Sequence, residues 1–129
     1  MIKVFVKKQS NYPVSAPKIK KNLDEFLEKQ GIKSSAEVSV FIVGEKKMLL
    51  LAKKYLKEKG IVHNVLSFPF NEGGEGFVNP PDDILRLGDI VVCFPKLVEE
   101  AKEESVLIEV KLQELVEHGA LHLLGIHHD

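Results

Sequence analysis

Apolar and polar positions alternate from the first residues of the chain, where Ile2, Val4 and Val6 bracket Lys3 and Phe5. That period of two predicts a short strand. Asn11, Pro13 and Pro17 interrupt it, and Ser15 is placed to cap a helix in which Ile19, Leu23, Phe26 and Leu27 recur at helical spacing up to Gly31. Val38 to Val43 is a β-branched run closed by Gly44, after which Met48, Leu49, Ala52 and Leu56 mark a second, lysine-rich helix ending near Gly60. Val65 to Phe70 (VLSFPF) has strand propensity, but Pro69 lacks an amide donor, which predicts a sheet edge. Asn71 to Arg86, with Gly73, Gly74, Gly76, Pro80 and Pro81, reads as a surface loop. Gly88 to Cys93 (GDIVVC) is a nearly continuous apolar strand whose centre, Ile90 to Val92, should be covered on both faces. Pro95 suits the first turn of a short helix to about Glu104, and a last helix runs from about Ile108 to Leu124 before Gly125. The order β-α-β-α-β-β-α-α lacks strict βαβ alternation, so the expected fold is α+β, with helices packed on a small mixed sheet.

Length and composition narrow this to one soluble domain over residues 1–129: 44% of residues are apolar and 29% charged, unlike a disordered chain. No apolar run approaches the roughly 18 to 20 residues of a membrane span, and the opening MIKVFVKKQSNYP lacks the features of a secretory signal. The expected setting is the cytoplasm, where the single cysteine, Cys93, stays reduced. The net charge of −1 conceals an asymmetry. Residues 1–64 hold 14 Lys against 6 acids, whereas residues 65–129 hold 4 basic residues against 13 acids. A cationic half would attract phosphates, although lysine-rich helix faces are commonly just solvated.

Four of the five histidines, His118, His122, His127 and His128, fall within residues 118–128. His118 and His122 are four apart on the final helix and share one face. Gly125 allows a left-handed turn that brings the next residues back over that face, so His128 can approach the pair. Three neutral imidazoles in the pattern HxxxHxxGxxH would hold one zinc ion and leave a fourth tetrahedral position open, as catalytic sites require. His127, adjacent to His128, should point elsewhere. Cys93, at the end of an apolar strand, is expected to be a core residue and no ligand. The pattern matches the metal helix of the metzincin metalloproteases, except that the general-base Glu after their first His is here Gly119. Glu117 is no substitute, since it projects about 100° away from His118. Peptide hydrolysis by that route is therefore disfavoured.

Taken together, HGALHLLGIHH at 118–128, NVLSFPF at 64–70 and LGDIVVC at 87–93 resemble the metal motif, the edge strand and the buried strand of the YbeY family. The resemblance implies a metal-dependent endoribonuclease specific for single strands, acting in ribosomal RNA maturation at the 3′ end of 16S rRNA. It further implies one Zn2+ ion on His118, His122 and His128, RNA lying between that site and the edge strand, and the small ribosomal subunit as partner. Lys57 occupies the place of a family arginine facing the cleft and keeps its charge without the bidentate fork; with Lys53 it is the expected phosphate contact. His63 stands where the family has Thr, and Ile126-His127 where it has Tyr-Asp, which alters the hydrogen bonding around the ligands. Family members generally continue with another helix, so the third ligand is expected in a frayed terminus unless the metal ties it down. The nucleophile would be zinc-activated water or an RNA 2′-hydroxyl, with no general base assigned. Two rivals are a ribosome-associated RNA-binding factor whose metal is structural, and a metalloprotease-like hydrolase.

Overall fold

A computed structural model describes residues 1–70 and 84–125. Strands β1 (Ile2–Lys8), β2 (Ala36–Val43), β3 (Val65–Pro69) and β4 (Leu85–Cys93) form one sheet in the order β1-β2-β4-β3. The β1/β2 and β2/β4 pairs are parallel, and β3 runs antiparallel to β4 at the edge. The sheet is thus mixed and the fold α+β, with Pro69 on an edge strand as its missing donor requires. Helices α1 (Ala16–Lys29), α2 (Glu45–Leu56), α3 (Phe94–Glu103) and α4 (Ile108–Leu123) complete the expected element order. Ser15 caps α1 by accepting the Lys18 amide at 3.3 Å.

The two sheet faces are covered differently. Val4, Val38, Val40, Ile42, Ile90 and Val92 point to one side and pack with the apolar stripes of α1 and α4. On the other side Val43, Val91 and Cys93 meet Met48 of α2, with Phe41, Leu66 and Phe68 around them. Ile90 and Val92 are fully buried and Val91 nearly so, as a central strand covered on both faces demands.

Two boundaries differ from expectation. β4 begins at Leu85, so Leu85 and Arg86 are strand where a loop was expected; Ile84 is loop as expected, and residues 71–83 lie outside the described residues. α2 ends at Leu56, four residues before Gly60. Lys57 takes the left-handed conformation (φ 59°) usually left to glycine and returns its N–H to the Ala52 carbonyl.

Candidate metal centre

Helix α4 carries His118 and His122, and its seat on the sheet sets where they point. Leu112, Leu115, Val116 and Ala120 are buried against the core. Gly119 is the point of closest approach: a Cβ added there would lie 2.8 Å from Ile90 Cγ2 and 3.3 Å from Cγ1. The glycine therefore has a packing reason to stand where a metzincin has its glutamate, since only a residue without a side chain lets α4 settle on β4.

Flanking this contact, His118 and His122 bring their Nε2 atoms within 3.1 Å of each other, with ring centroids 4.5 Å apart at 63°. A tetrahedral ion bound at 2.0–2.1 Å by both nitrogens separates them by about 3.3 Å. Small ring rotations bridge the difference, and imidazole nitrogens suit zinc among the divalent ions. His118 is exposed and His122 half-buried, so the pair opens to solvent. After α4 the chain turns as expected: Gly125 has φ 80° and donates its N–H to the His122 carbonyl at 3.0 Å. His127 and His128, the latter the expected third ligand, lie outside the described residues, as does Ile126. Among the described residues no group of three or more His, Cys, Asp or Glu is placed to hold a metal ion.

The other residues singled out by sequence fall as follows. Glu117 accepts from Gln113 at 2.9 Å, one turn back along α4. Cys93 is fully buried in the α2-side core, and burial pushes its thiol pKa up, as suits a packing residue. Lys53 lies exposed in the last turn of α2 and Lys57 just beyond it. α2 packs on the sheet face opposite α4, so neither lysine belongs to the face that carries the histidines. His63 is engaged by Glu58, Nε2 to Oε2 at 3.0 Å.

Three residues not foreseen from sequence, Lys111, Glu100 and Asn64, connect α4 to the edge strand. Lys111, two turns before His118, is buried, with its Nζ 2.8 Å from Glu104, 3.3 Å from Glu114 and 4.0 Å from Glu100. The Glu104 hydrogen bond is the chief cause that raises the Lys111 pKa, against desolvation. Glu100 also accepts from Asn64 Nδ2 at 3.0 Å, and the Asn64 carbonyl accepts the Cys93 amide at 2.9 Å where β3 begins. The available signal was a lysine interrupting the apolar stripe of Ile108, Leu112 and Leu115. On β3, Ser67 pairs with Ile90 and so stands on the α4 side of the sheet.

Comparison with known proteins places the chain among relatives of one family. The model of the family described as Endoribonuclease YbeY matches residues 5–129. A protein of that name from Macrococcus caseolyticus is 38% identical over 112 residues, covering 87% of this chain and 71% of its own length. Others from Oceanobacillus iheyensis and Acinetobacter baumannii are 37% identical over 112 residues and 36% identical over 111, the chain spanning 72% and 68% of their lengths. The solution structure of a Thermotoga maritima protein superimposes with a TM-score of 0.59 at 29% identity, over 98% of this chain and 75% of that one. With the family model spanning both the edge strand and the histidine helix, the chain belongs to the endoribonuclease YbeY family.

Proposed function

We propose that the chain is a zinc-dependent endoribonuclease that cleaves single-stranded RNA, acting in the cytoplasm on the 3′ end of 16S rRNA as the small ribosomal subunit matures. The observation that carries the reading is the 3.1 Å approach of the His118 and His122 Nε2 atoms on a solvent-open face of α4, in a chain of an endoribonuclease family. In this reading the Gly125 turn returns His128 as the third ligand. Zinc held there would supply Lewis acidity, activating water and polarising a phosphate oxygen.

The chain's own residues position the substrate. The contact of Gly119 with Ile90 fixes α4, and with it the direction of His118 and His122. β3 lies at the sheet edge, and the Ser67 hydroxyl, on the α4 side of the sheet, can donate to a phosphate oxygen. Lys53 and Lys57 offset phosphate charge along the strand leading away from the site.

The test is zinc content by mass spectrometry together with cleavage of a single-stranded RNA, on the parent chain and on His122→Ala. Loss of both in the variant is the expected result. Undiminished cleavage by the metal-free variant refutes the proposal. Retained zinc with a fourth protein ligand and no cleavage by the parent would instead identify a structural metal.

A further inference from the structure

On the sheet face away from the histidines, α2 leans over the strands and leaves a cavity of about 290 Å3. That is at the lower end of the roughly 300–1,000 Å3 of small-ligand pockets, a size for one ring system. Its walls are Phe41, Leu51, Tyr55, Phe68 and Val91, and two charged groups, Lys47 and Asp89, complete it. Tyr55 and Phe68 are in tilted ring contact at 5.1 Å, and Tyr55 remains 54% exposed, so the aromatic pair stays accessible to a planar ligand at its exposed side. The sheet register fixes Asp89 between Ser39 of β2 and Phe68 of β3, one row from Phe41 and Val91. Among the described residues no hydrogen bond or ion pair engages the Asp89 carboxylate, and none engages the Lys47 ammonium. An acceptor and a donor thus stand at an apolar slot without partners among the described residues.

The surroundings are cationic. Lys54 Nζ lies 5.2 Å from the Tyr55 ring centroid, and no ion pair among the described residues neutralises Lys46, Lys53 or Lys57 of the same helix region. Apolar slots flanked by lysines suit an unpaired base whose phosphates remain outside. The polar pair selects among bases. A carboxylate only accepts, and guanine alone places two adjacent N–H donors, N1–H and the N2 amine, beside a carbonyl oxygen that a lysine can bind.

We infer that this cavity is a subsite for one unpaired guanine of single-stranded RNA, stacked on Tyr55 and Phe68 and read by Asp89 and Lys47, separate from the histidine site. The inference rests on the ribonuclease reading for the identity of the polymer, and adds to it a base preference exerted on the opposite sheet face.

The test is fluorescence anisotropy with labelled heptauridine and the same oligomer carrying one central guanine. Full-length His122→Ala is the background, so that the RNA stays intact. The guanine oligomer should bind about tenfold more tightly, the size of one good stacking and hydrogen-bonding contact. Asp89→Asn, nearly isosteric, should bring the two oligomers within about twofold, since the amide no longer accepts two donors. Tyr55→Ala, at an exposed position, should weaken the guanine oligomer by about tenfold. Equal affinities in the parent background, or a preference that survives Asp89→Asn, overturn the inference. Cleavage by the wild-type chain without a guanine preference removes the subsite alone; a preference without cleavage removes the ribonuclease reading alone.

Discussion

Gly119→Ala tests whether the seat of α4 on β4 is as tight as the structure has it. In an exposed helix interior this change stabilises by about 1 kcal/mol, through propensity alone. Here the new methyl meets Ile90 Cγ2 at 2.8 Å, about 1 Å short of ordinary carbon contact. Ile90 cannot easily yield. It is fully buried on a central strand, and its β-branched side chain has little χ1 freedom. α4 must therefore lift. Overpacking of this kind costs about 1–3 kcal/mol, which outweighs the propensity gain and leaves a net loss of about 1 kcal/mol. For a chain of this length that corresponds to a fall in Tm of about 3–5 °C.

Because His118 and His122 ride on α4, the same variant should also bind zinc more weakly. The mechanism is isolated by a double-mutant cycle with Ile90→Ala, which empties the space the methyl needs. Gly119→Ala should then become neutral or stabilising, so that the two changes are strongly non-additive. A Gly119→Ala chain as stable as its parent, or a cycle that adds up, refutes the packing argument. Gly119→Glu, which restores the protease-like residue, should destabilise further and confer no peptidase activity, since the side chain enters at Ile90 and not at the histidine pair.

Lys111→Met should destabilise by about 2 kcal/mol by chemical denaturation, below the range for fully buried pairs because Glu104 and Glu114 are half exposed and can rehydrate. Its charge partners raise the Lys111 pKa, so its contribution is complete below about 10.5, the group's ordinary value, and is lost as pH rises through the higher folded value. The stability difference between parent and Lys111→Met should accordingly hold constant from neutral pH to about pH 10 and shrink in strong alkali. Cys93, fully buried with its pKa pushed up, should react with a thiol reagent only at the rate of unfolding; prompt labelling of the native chain contradicts its core placement. Burial raises the Asp89 pKa, which means the charged form is disfavoured in the folded chain. Asp89→Asn should then raise Tm at pH 7, and the gain should fade as pH drops through the carboxylate range; a loss of stability at pH 7 reverses the sign and refutes the argument.

What the chain's pattern revealed was local. The strand and helix order follows from apolar spacing, and His118 with His122 from a four-residue interval that any α-helix turns into neighbours. The turn at Gly125 was equally local, since its φ of 80° is the conformation glycine tolerates best. Errors arose where two signals competed. Leu85 and Arg86 join β4 because they continue the alternation of Leu87, but they follow a segment whose glycines and prolines carry a loop signature. Gly60 looked like the stop of α2, whereas Lys57 adopts the left-handed turn itself. Lys111 could not be assigned from spacing, because its three carboxylates come from α3, the turn after it and α4. The Asp89 cavity was hidden for a similar reason: it exists only once the registers of β2, β3 and β4 set Ser39, Asp89 and Phe68 in one row.

The charge asymmetry between the two halves takes its meaning from how the structure uses each sign. Much of the acidic half is engaged within the fold: Glu109 by Lys18 at 3.0 Å, Glu104 and Glu114 by Lys111, and Glu117 by Gln113. The lysines of α2 have no such partners among the described residues, so the field they create is directed outward. A polyanion held by these lysines lies on the α2 side, whereas the histidine pair stands on the α4 side. These two placements are compatible only if the strand passes over β3, the edge between them, which is also where Phe68 and Ser67 face opposite ways on consecutive residues. The edge strand is then the crossing point of the substrate. Lysine substitutions on α2 should weaken RNA binding and flatten its salt dependence while leaving zinc content unchanged; unaltered RNA binding refutes an approach along α2.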